Sequence, residues 1–181
     1  MWKNILAIML FISINVSAQH YTPVDSESKI HFVIKNFGIN TGGDLKDLKG
    51  EIYFNPENLT QSKFNVTVAV STIDTDNEIR DKSLKSNEYF DASEFPVIRI
   101  VSSKISKTNK TLGGYYYFNG NLTIKGVTKP VSFPFQVKKV NNNYLFTGGF
   151  ELDRTDFGLG EKNMVLSSKV VVSLSVSANK K

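Results

Sequence analysis

Cysteine is absent from this chain of 181 residues. Its absence excludes disulfide bonds, thiol catalysis and an N-terminal cysteine modified with lipid. Histidine is nearly absent too, and neither His20 nor His31 falls in a spacing typical of metal ligands. We therefore expect both histidines to lie on the surface, no metal site to be present, and the fold to be stabilised by side-chain packing alone.

Motifs of several enzyme classes are also absent. The pair Gly42-Gly43 lacks the Lys-Ser/Thr that completes a phosphate-binding loop, and no Gly-x-Ser-x-Gly nucleophile elbow occurs. There is no dense block of lysine or arginine, because the formal net charge of +5 is spread thinly along the chain. Mild basicity of this kind is typical of a soluble protein. The sequence thus favours a protein that is not an enzyme and does not bind nucleic acid.

The longest apolar run lies at the N-terminus. Lys3 precedes the apolar residues from Ile5 to Ile14, and Val16-Ser17-Ala18 offers a small-residue cleavage site. That run of about ten residues is well short of the roughly 20 needed to span a bilayer, so it is typical of a signal peptide. We predict a signal peptide over residues 1–18, export with cleavage after Ala18, one mature domain over residues 19–181, and no stable membrane anchor.

Elsewhere the apolar residues recur at every second position. Phe64, Val66, Val68 and Val70 alternate with mostly polar neighbours, so a pleated strand would turn one face to the core and the other to water. Similar alternation predicts strands near residues 28–36, 50–54, 63–73, 97–105, 114–124, 128–139, 144–153 and 164–177. So many half-buried strands in a small chain predict an all-β sandwich or closed barrel. A closed barrel can leave interior room for an apolar guest.

Short polar and proline-containing segments predict where the strands are interrupted. The Thr-Gly-Gly-Asp of residues 41–44 breaks the first strand, and Lys125-Gly126 is typical of a hairpin turn. Pro130 and Pro134 cannot donate ladder hydrogen bonds, which indicates an edge or bulged position for their strand. We therefore expect locally imperfect closure there.

Between residues 74 and 94 the alternation disappears. Residues 76–84 carry aspartate caps, early acidic residues and later basic residues, which predict one short helix. Ile79 and Leu84 are expected to lie on roughly one side of it. We expect this helix-bearing loop to cross one end of a barrel, where its aromatic residues Tyr89, Phe90 and Phe95 would close the mouth.

Three segments, residues 88–96, 120–131 and 152–159, resemble segments of a known family. The middle segment is the most specific, because its Leu-Thr-Ile-Lys-Gly-Val-Thr resembles a hairpin habitual in the YceI-like family of bacterial periplasmic proteins. The resemblance implies a lipocalin-like antiparallel barrel that binds polyisoprenoid lipids. Relatives commonly have histidine where this chain has Asn36 and arginine where it has Lys49, which implies altered contacts with a ligand head group.

Together these observations predict an all-β, eight-stranded antiparallel lipocalin-like barrel with one short helix-bearing loop. The expected function is an exported, periplasmic or secreted lipid-binding protein that sequesters or carries a polyisoprenoid or isoprenoid quinone, without a cofactor and without catalysing a reaction. The predicted cavity-lining residues are the inward apolar side chains Phe32, Ile34, Phe54, Phe64, Val66, Val68, Ile79, Leu84, Phe90, Phe95, Ile98, Ile100, Phe118, Leu122, Phe133, Phe135, Phe146, Phe150, Leu152 and Val172.

Polar residues at the mouth would give a ligand its orientation, because tail burial alone provides little selectivity. Arg154 is the first candidate for a head-group contact, followed by Asn36 and Arg80. An equally strong interpretation of Arg154 is structural, in an ion pair with Asp153, Asp156 or another carboxylate.

Two other functions remain open at the level of sequence. The interior could be a filled core, with the outer face of the barrel binding another protein, which predicts an exposed apolar patch and no void. An enzyme acting on a lipid inside the cavity would instead need a buried acid with a shifted pKa, which Asp153, Asp156 or Glu161 could supply. A homodimer is also compatible with the sequence.

Overall fold

In the computed structural model, residues 18–109 and 113–181 are described. The predicted signal peptide lies outside the described residues except for Ala18. The strands are β1 (Gln19–Pro23), β2 (Lys29–Asn36), β3 (Ile39–Leu45), β4 (Lys49–Phe54), β5 (Lys63–Ala69), β6 (Val97–Lys107), β7 (Tyr115–Ile124), β8 (Val127–Val140), β9 (Asn143–Asp153) and β10 (Leu166–Lys180). One α-helix, α1 (Glu78–Leu84), lies between β5 and β6.

All strand pairs are antiparallel and the sheet closes on itself. The long strand β10 pairs with β9, with β2 along its first part and with β1 at its end, and β1 in turn pairs with β4. In the ring, β1 with β2 and β3 with β4 therefore act as two interrupted strands, which with β5 to β10 make eight. The predicted eight-stranded antiparallel barrel with one helix-bearing loop is confirmed.

The two interruptions face each other and are hydrogen-bonded together. A 3-10 turn at Asp25–Glu27 separates β1 from β2, and the Asp25 carboxylate accepts a hydrogen bond of 2.7 Å from the backbone N–H of Leu48, between β3 and β4. The break between β1 and β2 thereby satisfies a backbone donor in the break between β3 and β4. The bent strands let the sheet close at β1 while β2 and β3 continue toward the opposite end.

The expected break at residues 41–44 is wrong, because these residues lie within β3. A Cβ atom at Gly43 would lie 2.6 Å from the ring of Phe32 on β2. Glycine is thus present there to let an aromatic ring cover the strand, which is its other common use besides turns. The turn is instead at Phe37 and Gly38, which both have positive φ.

The wall of the barrel is incomplete between β8 and β9. Strand β8 pairs with β7 from Val127 to Gln136, but its register with β9 begins only at Phe135. Pro130 and Pro134 precede that residue and have no N–H to donate. This is the interruption that the two prolines predict.

One end of the barrel is a solid layer of aromatic rings. Phe54 lies at its centre, 1% exposed, and meets the rings of Tyr116, Tyr144 and Phe146 edge to face at centroid distances of 5.2, 5.3 and 5.5 Å. Edge-to-face pairs of this kind are favourable beyond the area they bury. These rings belong to one buried cluster that also includes Phe64, Phe118, Phe133 and Phe135.

The segment that carries α1 crosses the opposite end, as the sequence predicts. At one side it is joined to β3 by paired backbone hydrogen bonds between Asp44 and Asp74. At the other side the Nζ of Lys125, in the β7–β8 turn, donates to the carbonyls of Asn87 and Gly158 at 2.7 and 3.1 Å. The segment is thus fixed on both sides of the barrel's end.

Candidate ligand cavity

A cavity of about 640 Å³ occupies the half of the barrel beneath α1. Its volume lies within the range of roughly 300–1,000 Å³ that is typical of small-molecule sites. Its walls are formed mainly by aliphatic side chains. Twelve predicted residues line it: Phe32, Ile34, Val66, Val68, Leu84, Phe90, Ile98, Ile100, Leu122, Phe150, Leu152 and Val172.

The floor of the cavity separates it from the aromatic layer. Val66, Ile100, Phe150, Leu174 and Val176 pack against the aromatic cluster and also line the cavity. The interior therefore has a filled half and a hollow half. A chain that enters from the α1 end reaches this floor and cannot pass through the barrel.

Eight of the predicted lining residues do not line the cavity. Six are phenylalanines of the solid aromatic layer, where large facing rings interlock and fill the space: Phe54, Phe64, Phe118, Phe133, Phe135 and Phe146. Phe95 packs instead against the backbone of Gly126, where an added Cβ would lie 2.7 Å from its ring.

Ile79 is the eighth, and it is 85% exposed while Leu84 on the same helix lines the cavity. Residues five apart on an α-helix are separated by about 140° around its axis. The two side chains therefore cannot share a side of α1, and the expectation that they do is wrong.

The sequence also missed several lining residues. Ile30, Val170, Leu174 and Val176 carry the same alternation as their predicted neighbours on β2 and β10. That alternation was the available signal for them. Leu159 and Leu166 had no such signal, because they lie at or near an irregular connection whose path only the tertiary structure defines.

The opening of the cavity is marked by lining residues that are exposed to solvent. These are Ser83 on α1 and Asn163 and Val165 in the connection that leads into β10. Asn36, at the end of β2, lines the cavity nearby, and its side chain forms no hydrogen bond with the described residues. The mouth thus lies between α1, the β2–β3 hairpin and this connection.

Arg154, the first head-group candidate, lines the cavity but is only 3% exposed, because its guanidinium is bound by backbone carbonyls. Its Nε donates to the carbonyl of Ser167 at 3.0 Å, its Nη1 to Leu159 at 2.6 Å, and its Nη2 to Glu161 and Leu166 at 2.9 and 3.3 Å. The expected carboxylate partner is absent among the described residues. Arg154 is therefore a clamp on the connection between β9 and β10, since a buried guanidinium is tolerated only when it is hydrogen-bonded.

Arg80 is more accessible to a ligand than Arg154. Its Nε donates to the Thr75 hydroxyl at 2.8 Å and its Nη2 to the Thr75 carbonyl at 2.5 Å, while Asp81 accepts from Thr75. No ion pair joins Arg80 to a carboxylate in the described part of the chain. Arg80 lines the cavity, so that an oriented guanidinium with unpaired charge lies at the mouth.

The acids considered for catalysis lie outside the cavity lining. Asp153 caps the 3-10 turn at Arg154–Phe157 and accepts from the backbone N–H and hydroxyl of Thr155 at 2.9 and 2.6 Å. The hydrogen bond from the Thr155 side chain, followed by that from Ser168, lowers the pKa of Asp153 below its usual value. A general acid requires a shift in the other direction.

His31 forms a hydrogen bond with Asp44 that its sequence context does not predict. Its Nδ1 lies 2.6 Å from an Asp44 carboxylate oxygen, and the side chain is one-third exposed. Gly42 on the neighbouring strand β3 makes room for the ring, because a Cβ there would lie 2.9 Å from His31 Cε1. Among the described residues, no group of three or more side chains is arranged to hold a metal ion.

A family profile for the YceI-like domain matches residues 21–178. The chain belongs to the YceI-like family. The Protein YceI of Salmonella arizonae is 34% identical over 140 residues, which are 73% of this chain and 71% of that protein. A UPF0312 protein of Photorhabdus laumondii is 32% identical over 127 residues, 69% of this chain and 64% of that protein. The chain thus spans just under two thirds of the Photorhabdus relative.

Solved structures have the same fold as this YceI-like chain. BcnA of Burkholderia cenocepacia has a TM-score of 0.80 at 24% identity, covering 87% of this chain and 99% of that one. The YceI protein of Campylobacter jejuni has a TM-score of 0.68 at 25% identity, covering 77% and 84%. A polyisoprenoid binding domain from Saccharophagus degradans has a TM-score of 0.70 at 10% identity, covering 91% and 100%. Within the described residues of this chain, no helix has the length and hydropathy needed to cross a membrane.

Proposed function

We propose that this YceI-like barrel is an exported binding protein that holds a long apolar molecule, an isoprenoid lipid or isoprenoid quinone, in its cavity. The observation that carries the proposal is the hollow of about 640 Å³ with aliphatic walls beneath α1. Such a hollow is unfavourable for water and favourable for hydrocarbon. The alternative of a filled interior with only an outer binding face predicts no such void.

Burial of the tail supplies the affinity. Each methylene removed from water contributes about 0.8 kcal/mol, so ten contribute a gross free energy of about 8 kcal/mol before the costs of association and ordering. The aromatic layer below the floor stops the tail. A ligand longer than the hollow must therefore fold back or leave part of its chain at the mouth.

Polar groups at the mouth supply the orientation. Arg80 and Asn36 are both in the lining and are free to contact a polar ligand end. A guanidinium held by Thr75 loses little freedom when it binds a quinone oxygen or a phosphate. We expect the head group to lie here with the tail directed toward the floor, while Arg154 acts indirectly by holding the rim in shape.

Binding without catalysis agrees with the chemistry of the cavity. The lining includes no carboxylate. Its one histidine, His31, is hydrogen-bonded to Asp44, and Asp44 lies outside the lining. The N-terminal apolar run of residues 5–14 and the lack of cysteine support export to the periplasm and delivery or storage of the ligand there. The name of the Saccharophagus domain agrees with an isoprenoid occupant.

The proposal is tested with isoprenoid alcohols of increasing length, namely farnesol, geranylgeraniol and solanesol. Native mass spectrometry of the purified protein records which of them it retains, and competition with a fluorescent farnesol analogue gives relative affinities. We expect affinity to rise with tail length and then to level off once the hollow is filled. Failure to retain any of these alcohols, together with a ligand-free spectrum of protein from its own host, would contradict the proposal.

A further inference from the structure

Four exposed apolar side chains lie beside the cavity mouth. Phe37 and Ile39, at the tip of the β2–β3 hairpin, are 75% and 70% exposed, and Met164 and Val165, before β10, are 104% and 39% exposed. The two segments are adjacent, because the Phe37 backbone N–H donates to the Val165 carbonyl at 2.9 Å. We call these four side chains the apolar rim.

Phe37 has a backbone conformation that disfavours it. Phe37 and Gly38 have φ of 50° and 76°, the combination found in type I′ hairpin turns, where Asn-Gly is preferred. Six described non-glycine residues have positive φ, and the four that are aspartate or asparagine tolerate it. Lys125 has a reason to be there, since its Nζ donates to the Asn87 carbonyl at 2.7 Å.

For Phe37 the described residues provide no comparable compensation, because its ring is three-quarters exposed. A strained backbone that presents an unburied aromatic ring is unfavourable for folding in two ways. Strain of this kind points to a function at the position. The ring is therefore explained by a contact with something outside the chain.

The charges around the rim indicate the chemistry of that contact. Lys35 and Lys162 are exposed and flank the apolar rim. Residues 35–40 and 163–166 contain no aspartate or glutamate, and the exposed Glu161 precedes Lys162 at the edge of the rim. Apolar side chains beside two lysines, with a single carboxylate at the edge, suit the surface of an anionic bilayer, where the apolar groups insert between lipids and the lysines meet the head groups.

The rim is also continuous with the cavity. Asn36, Asn163, Val165 and Leu166 belong to the same two segments and line the hollow. We propose that the apolar rim docks on an anionic lipid bilayer and turns the cavity mouth toward the membrane. Docking depends on this surface alone, so it holds or fails separately from the identity of the ligand.

The first test measures flotation of the soluble protein with vesicles of phosphatidylethanolamine and phosphatidylglycerol. The protein and all variants are expressed in the same bacterial host from the full sequence. Intact-mass spectrometry records at which residue each purified protein begins, so that the variants are compared with the same N-terminal segment. Phe37→Asn should weaken partitioning about tenfold, since a phenylalanine no longer inserts. Lys35→Gln should weaken it about fivefold, and only at low salt.

Thermal unfolding separates docking from a merely structural role. Phe37→Asn places a preferred residue in the turn, so its Tm should be equal to or above that of the unchanged protein while its vesicle binding falls. The matched control is Val140→Asn, a similar change in an exposed residue at the opposite end of the barrel. The control should leave flotation unchanged.

A second test locates the docked surface directly. Because the chain has no cysteine, Ile39→Cys and Val140→Cys each allow a single environment-sensitive dye to be attached. The dye at position 39 should shift to the blue on addition of vesicles, and the dye at position 140 should not. Any of three results would overturn the proposal. The dyes at both positions shift equally, Phe37→Asn floats as well as the unchanged protein, or the dye at position 39 shifts to the blue when the protein concentration is raised without vesicles. The last result would assign the rim to a second copy of the chain.

Discussion

A substitution that narrows the cavity gives the sharpest test of whether the half of the barrel beneath α1 is hollow. Val172 on β10 lines the cavity and is paired with Phe32 on one side and Phe150 on the other. Its neighbour Val171 is 48% exposed on the outer face of the same strand. Val172→Phe and Val171→Phe are thus the same chemical change on the two faces of one wall.

The magnitude follows from the space that the ring occupies. Phenylalanine has four more heavy atoms than valine, so it displaces about four ligand methylenes, at about 0.8 kcal/mol each. The loss of about 3 kcal/mol corresponds to a dissociation constant about 100-fold weaker. Because the ring enters empty space, the free energy of unfolding should change by less than about 1 kcal/mol, whereas overpacking of a filled core costs about 1–3 kcal/mol.

Competition with the fluorescent farnesol analogue measures the first quantity, and urea denaturation measures the second. Val171→Phe should leave both unchanged. The reasoning is refuted if Val172→Phe binds the analogue as tightly as the unchanged protein. It is equally refuted if that variant loses stability by the amount expected for an overpacked core, because the space would then already be filled.

Three further predictions concern the elements that frame the cavity. Phe54→Ala should lower the free energy of unfolding by about 3–5 kcal/mol, because it opens a gap in the aromatic layer. Phe32→Ala on the cavity wall should lower it by only about 1–2 kcal/mol. Urea denaturation measures both values, and equal losses would contradict the prediction. Arg154→Lys keeps the charge but loses the fork of donors, so it should cost about 3 kcal/mol and speed hydrogen exchange at residues 159–167; unchanged exchange there would argue against the clamp. Burial raises the pKa of Tyr21 to about 12, so the stability from the neutral hydroxyl is complete below the unfolded pKa of about 10 and is lost as the pH rises through 12. The urea midpoint should fall over that window, and Tyr21→Phe should fall less; parallel curves would contradict the assignment.

Local signals predicted the elements well where a single rule applied. The period of two located the strands, and the lack of alternation over residues 74–94, with its charge order, located the helix-bearing loop. Residues 41–44 misled because Thr-Gly-Gly-Asp has the composition of a turn. Gly43 makes room for the ring of Phe32 and Gly42 for that of His31, and a contact between neighbouring strands is not visible in one strand's own sequence.

The candidate site was only partly predictable for the same reason. An arginine at position 154 is equally compatible with a head-group contact and with an ion pair. Its actual partners are backbone carbonyls of the connection between β9 and β10, and no periodic pattern in the sequence predicts the path of that connection. The prediction that Ile79 and Leu84 share a side of the helix fails because they are five positions apart, which is not a whole number of helical turns. The sequence assigns the six phenylalanines of the aromatic layer to the cavity, because an inward residue has the same pattern in a core and in a cavity wall.

Alternation by itself determined that the chain folds as strands with one apolar face each, since a pleated backbone places successive side chains on opposite faces. Only the tertiary structure decided which part of the enclosed space is filled. Rings from opposite walls meet around Phe54 and fill the aromatic end of the barrel. On the α1 side of the floor formed by Val66 and Leu174, the branched aliphatic side chains are too short to meet across the barrel. Whether facing side chains reach each other depends on distances across the barrel, and these exist only once the sheet has closed.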